Sequence, residues 1–202
     1  LYQIHGPISL RSHGAMAEAL ASVVHDGRVR AVGVSNYSIS EMTSIHDELR
    51  RRGVPLATNQ VEYSLLRRSP ETSGLLSTAS DLGVVILAYS PLAQGRLTGK
   101  YSADSPPPGR RSFSDHHWER IEPVLEVVRG IADQHDCTPA QVSLAWLIAK
   151  GTIPIPGAKN ADQARANAGA LDVELSPADV SRLDAVALDG TRSVLGRIWQ
   201  HG

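Results

Sequence analysis

The chain has 202 residues, 42% of them hydrophobic, with 20 Lys and Arg against 21 Asp and Glu for a formal net charge of -1. That supports a sizeable core in one globular domain over residues 1–202, and a charge so near zero gives no field to attract a polyanion, which argues against nucleic acid or an acidic membrane surface as partner. The single cysteine, Cys137, excludes an internal disulfide and a paired-cysteine zinc motif, so the sequence holds no metal site and suits a reducing compartment, by default the cytoplasm. No apolar run approaches the roughly 18 to 20 residues of a membrane span, and no signal segment is visible after Leu1.

Short apolar runs alternate with amphipathic stretches along the whole chain. The first run, "LYQIH" (Leu1 to His5), reads as a buried strand. A helix follows with Met16, Leu20, Val23 and Val24 on one face, and it stops at Gly27. Strand Val29 to Asn36 leads to a helix opened by a capping box, Ser38 with Glu41, whose inner face is Met42, Ile45 and Leu49. Strand Leu56 to Ser64, a helix from Glu71 to Asp81 and strand Val84 to Ser90 come next. Ser102 to His117 is rich in Pro, Gly, Ser and charge, the composition of a mobile functional loop. Trp118, Ile121, Val124, Leu125, Val128 and Ile131 mark another helix with a core-facing stripe, Trp118 included. Thr138, Pro139 and Gln141 open a helix that is apolar nearly all round, "VSLAWLIA", with Trp146 in its centre. Strand Thr152 to Gly157 is followed by two more helices, started by Asn160 with Gln163 and by Ser176 with Pro177 and Asp179. Repeated strand–helix order implies parallel strands with right-handed crossovers, hence a (β/α) barrel or a doubly wound sheet. The absence of a GxGxxG or P-loop fingerprint weakens the second.

In a (β/α) barrel the chemistry gathers where strands end. Those positions hold His5, then Ser35 and Asn36, then Gln60, then Tyr89 and Ser90, then Gly157 with Lys159. Asn36 and Gln60 each pair a donor with an acceptor, as a bound amide requires, and Tyr89 offers a flat face for a ring. Lys159 stands next to the Asn160 helix start, a combination that suits a phosphate. A carboxamide-bearing ring at one end and a phosphate at the other describe a nicotinamide dinucleotide.

With "LYQIH", "VRAVGVSN", "ATNQVEYS", "LAYSPLAQGRLTGKY" and "IPIPGAKNADQARAN" in this order, the chain resembles the aldo-keto reductases, NADPH-dependent (β/α)8 TIM barrels. The resemblance implies that His5 orients and polarises a small carbonyl substrate, and that Ser35, Asn36 and Gln60 hold the nicotinamide carboxamide. It implies Tyr89 stacked on the ring, Ser90, Pro91, Leu92 and Gln94 along the pyrophosphate, with Lys100 and Arg110 closing over it, and Gly157, Lys159, Gln163 and Asn167 at the adenosine phosphate. One position departs from the family pattern: Ala166 stands where an acidic residue often contacts adenine.

The family's catalytic Asp, Tyr and Lys precede the histidine strand and are not in this sequence, and about five strands stand against the eight of a closed barrel. The expectation is therefore an incomplete aldo-keto reductase barrel with most of the cofactor site. Of the other tyrosines, Tyr63 is the one left as a substitute acid. Two readings stay open: an NADPH-dependent reductase of an aldehyde or ketone, and a cofactor-binding regulatory protein on the same scaffold, like the potassium-channel β subunits. The sequence leaves the oligomeric state open.

Overall fold

The computed structural model describes residues 1–108 and 116–190. Five strands, β1 (Tyr2–Ile4), β2 (Val32–Ser35), β3 (Leu56–Glu62), β4 (Val85–Tyr89) and β5 (Ile153–Pro154), form one sheet whose spatial order is the chain order. The β1–β2 and β2–β3 pairings are parallel, as crossover helices require. This is the strand–helix repeat of an incomplete (β/α)8 barrel. The described residues divide into two compact units, Leu1–Val61 with Pro70–Leu87, and Glu62–Ser69 with the described residues between Ala88 and Gly190.

In the first unit the helices form where the sequence places them, because local signals and burial agree. Helix α1 (His13–His25) is capped by Ser12, and the chain leaves it through Gly27 at φ +70, a left-handed conformation that only glycine adopts without strain. Helix α2 (Ile39–Arg50) begins with the Ser38–Glu41 capping box, the Glu41 carboxylate accepting from the Ser38 backbone N–H at 2.7 Å. Met42, Ile45 and Leu49 are fully buried and pack with Met16, Leu20, Val32 and Val34. The single helix predicted from Glu71 to Asp81 is instead two, α3 (Ser69–Thr72) and α4 (Leu75–Asp81). They are divided at Gly74, whose φ of +84 cannot continue a right-handed turn.

The first strand also differs from expectation. It is short, Leu1 and Tyr2 are exposed and Ile4 is half-buried, because among the described residues β1 lies at the end of the strand order with a strand neighbour on one side only. An apolar run alone does not distinguish an edge strand from a central one.

In the second unit α5 (Trp118–Gln134), α6 (Pro139–Ala149) and α8 (Pro177–Val186) enclose the core. Trp118, at the first position of α5, is half-buried and so is not the core residue its place in the stripe suggested. Trp146 is wholly buried against Tyr63, ring centroids 5.2 Å apart, and its indole N–H donates to Asp184 Oδ1 at 2.8 Å. Asp184 also accepts from Lys150 at 2.6 Å, and its backbone carbonyl from Arg68 at 2.7 Å. The capping boxes at Thr138–Gln141 and Ser176–Asp179 both form. Helix α7 (Ala161–Ala168) starts at Asn160, whose side chain accepts from the Gln163 N–H. A short 3₁₀ segment over Ala93–Thr98 has no counterpart among the predicted elements. Of the loop expected over residues 102–117, 109–115 lie outside the described residues.

Candidate functional site

The strand registers decide which side chains share a face. Gln3 is level with Gly33 and Gly33 with Thr58, while Ser35 is level with Gln60. Between Val32–Leu56 and Gly33–Thr58 the register slips by one residue, so Ala57 is an extra residue in β3. Such a bulge turns the strand over. Leu56 before it lies in the helix-packed core, whereas Thr58 and Gln60 after it turn to the opposite face. Asn59 and Val61 take over on the helix side, both buried. Without that slip Gln60 would point into the apolar layer.

On the face away from the helices these side chains make one polar cluster. Ser35 Oγ donates to the Gln60 carbonyl at 3.0 Å, and the Asn36 side-chain NH2 donates to Ser35 Oγ at 3.2 Å. The Gln60 side-chain NH2 donates to Gln3 Oε1 at 3.2 Å, and Gln3 Nε2 donates to Thr58 Oγ1 at 3.0 Å. Ser35, Asn36 and Gln60, singled out from the sequence, are thus brought together. Gln3 and Thr58 were missed. The signal for Gln3 was a polar residue at the middle of a three-residue apolar strand, and Thr58 lies inside the seven-residue β3; a search for strand ends passes over both. Gly33 keeps the floor of the cluster low: a Cβ there would collide with Thr58 Oγ1 and stand 2.9 Å from the Thr58 carbonyl and 3.1 Å from Gln3 Cγ.

Asn36 itself sits at φ +60, a conformation asparagine tolerates better than most residues. Behind it the wholly buried Asn59 side chain grips both backbone groups of Tyr37, accepting its N–H at 3.4 Å and donating to its carbonyl at 2.9 Å. That clamp holds the turn that presents Asn36. His5 follows β1 directly and is exposed.

In the second unit, Tyr89 closes β4 and is half-buried. The next residues have an unusual backbone, with Ser90, Ala93, Gln94 and Gly95 all at positive φ. The turns close on themselves, the Ala93 N–H donating to the Ser90 carbonyl and the Gly95 N–H to the Leu92 carbonyl, both at 2.9 Å. Pro91 is buried, Leu92 half-buried and Gln94 exposed. Lys100 is exposed, its ammonium 5.7 Å from the centre of the Tyr101 ring. Arg110 lies outside the described residues. After β5, Gly157 and Lys159 are exposed. Gln163 folds back to accept the Lys159 backbone N–H at 2.7 Å, and Asn167 donates to the Gly157 carbonyl at 3.3 Å, so both side chains hold the loop that joins β5 to α7.

Tyr63 is excluded as a substitute acid by its position: it is fully buried against Trp146. Burial, with Asp136 beside it, pushes the Cys137 thiol up, which disfavours the thiolate. Among the described residues no group of three or more His, Cys, Asp or Glu side chains is placed to hold a metal ion, and no helix is long and apolar enough to cross a membrane.

A parallel strand–helix repeat with its strands in chain order is the scaffold of a (β/α) barrel. The sequence matches the profile of the Aldo/keto reductase family over residues 1–188, and the chain belongs to that family. It is 39% identical over 184 residues to the chloroplastic pyridoxal reductase of Arabidopsis thaliana, covering 91% of this chain and 50% of that protein. Against the L-glyceraldehyde 3-phosphate reductase of Escherichia coli K12 it is 32% identical over 196 residues, covering 91% and 56%. The fold superposes on a thermostable aldo-keto reductase crystallised with the inhibitor epalrestat, with a TM-score of 0.74 at 29% identity, covering 92% of this chain and 59% of that one. A putative 2,5-diketo-D-gluconic acid reductase B shares the fold at the same TM-score of 0.74 and 23% identity, covering 95% and 58%. The chain therefore spans about half the length of the curated relatives it matches.

Proposed function

We propose that the protein reduces an aldehyde or ketone to the alcohol, with NADPH as the hydride donor. The observation that carries this reading is the cluster on β2 and β3. A nicotinamide carboxamide presents one carbonyl and two N–H groups, and Ser35, Asn36 and Gln60 answer with a hydroxyl and two amides above a floor that Gly33 keeps open. The donor set fits the group. When bound, NADPH would supply the hydride. Tyr89 would support the ring by its flat face, Ser90, Pro91, Leu92, Gln94, Lys100 and Arg110 would follow the pyrophosphate, and Gly157, Lys159, Gln163 and Asn167 the adenosine phosphate. His5 would donate an N–H to the substrate carbonyl, which orients it and withdraws electron density from the carbon that is to be reduced. Two relatives are a pyridoxal reductase and an L-glyceraldehyde 3-phosphate reductase, which supports a small aldehyde as the substrate class.

Carbonyl reduction leaves an alkoxide that needs a proton, and Tyr63, buried behind Trp146, cannot deliver one. That observation favours a second reading for these 202 residues, a cofactor-binding regulatory protein on the same scaffold. Titration of NADPH against tryptophan fluorescence, followed by an assay with a panel of aldehydes, separates the two. Saturable quenching with turnover supports the reductase, and quenching without turnover the regulatory protein. No saturable response contradicts both.

A further inference from the structure

We infer that Gln3, in the middle of β1, is a positioning residue that fixes the polarity of the Gln60 side-chain amide, so that the cluster meets its ligand with an acceptor there and selects a ring carboxamide over a ring substituent without N–H. The selectivity rests on the dinucleotide reading above; the polarity does not.

The argument starts from a group with no choice. The Val34 backbone carbonyl can only accept, and Gln3 approaches it at 3.3 Å, so the end of the Gln3 amide that touches it must be the NH2. The same NH2 reaches Thr58 Oγ1 at 3.0 Å, which uses its second proton. Gln3 Oε1 is then turned toward Gln60, and only the Gln60 NH2 satisfies it, at 3.2 Å. Gln60 Oε1 is what remains for a ligand, and no described residue donates to it. The Gln60 main chain is held by Ser35 Oγ at 3.0 Å and the Asn36 N–H at 2.8 Å, both donating to its carbonyl. The amide's orientation is therefore the remaining freedom, and Gln3 removes it. A flipped Gln60 would set two carbonyl oxygens against each other. The orientation is invisible in the choice of residues, since glutamine offers either end.

The experiment uses the 202-residue chain and two oxidised dinucleotides, NADP and its 3-acetylpyridine analogue, whose ring bears a methyl ketone in place of the carboxamide. By calorimetry the wild type is expected to bind NADP about tenfold more tightly, the value of one well-placed hydrogen bond. Gln3→Met, of equal length and with only a weakly accepting sulfur, lets the Gln60 amide turn over and brings the two affinities within about twofold. Thermal melts establish that the Gln3→Met chain is folded. A folded Gln3→Met chain with the wild-type ratio overturns the assignment. In the free chain, NMR reads the polarity without any ligand: the Gln60 side-chain NH2 protons exchange slowly in the wild type and faster in Gln3→Met. Fast exchange in the wild type overturns the fixed polarity. A wild type that binds neither dinucleotide overturns the cofactor reading and the selectivity with it, while the exchange measurement still decides the role of Gln3.

Discussion

Gly33 and Asn59 show how single residues shape the cluster without being part of its chemistry. Gly33→Ala drives a methyl group into Thr58 and Gln3. It should cost about 1–3 kcal/mol as overpacking, read as a lower urea midpoint with unchanged slope. Asn59→Ala removes the partner of the Tyr37 N–H and carbonyl at once, in a wholly buried place. Leaving buried polar groups unpaired predicts a loss of about 2–4 kcal/mol by the same measurement, with weaker NADPH binding because the Asn36 turn loosens. Ser35, Asn36 and Gln60 were legible in the sequence because residue type at a strand end is a chemical signal. Gln3 was not, because its importance comes from a hydrogen bond to a residue 57 positions away. Asn59 reads as another polar residue beside Gln60 until its side chain is seen to bond backbone.

At the scale of elements, starts and stops were the most readable features. Every capping motif named from sequence forms, because a cap is satisfied within three residues and needs no tertiary context. What was not readable depended on partners elsewhere in the chain: the break at Gly74, the exposure of β1, and the extra residue Ala57 that sets the facing of β3. Caps also carry pH dependence. In α8 the Ser176 hydroxyl and, after it, the His135 ring hold the Asp179 carboxyl below its usual range, against the opposing effect of burial. Since the folded value is the lower one, this stabilisation is complete above the unfolded carboxyl value of about 3.9 and is lost as pH falls through the folded value. Asp179→Ala should therefore be less stable than wild type by about 1 kcal/mol at neutral pH, with the gap closing toward pH 2. Denaturation series at several pH values check this, and a constant gap would contradict it.

For the molecule as a whole, the alternation of strand and helix left a (β/α) barrel and a doubly wound sheet open, the motifs pointed to the family's barrel, and the sheet order agrees with that barrel. Local periodicity says that parallel strands exist; it does not say which one is last. Among the described residues the β1 main chain pairs only with β2, and Leu1, Tyr2, Ile8 and Leu10 are all exposed. An open apolar edge recruits further strands. The 202-residue chain should self-associate as its concentration rises, seen as a growing weight-average mass in sedimentation, and Tyr2→Lys should suppress this. A monodisperse wild type at high concentration would refute the prediction.

Strands that sit beside their chain neighbours carry a different consequence. Cleavage in the turn at Gly53, between α2 and β3, divides no crossover connection except the one it cuts, and each fragment keeps its strands in uninterrupted succession. Reassociation of the pieces then has to reseal the β2–β3 seam together with the apolar core that residues on both sides of Gly53 share. The same architecture tolerates added strand–helix units at its margins without re-registering any pair already made.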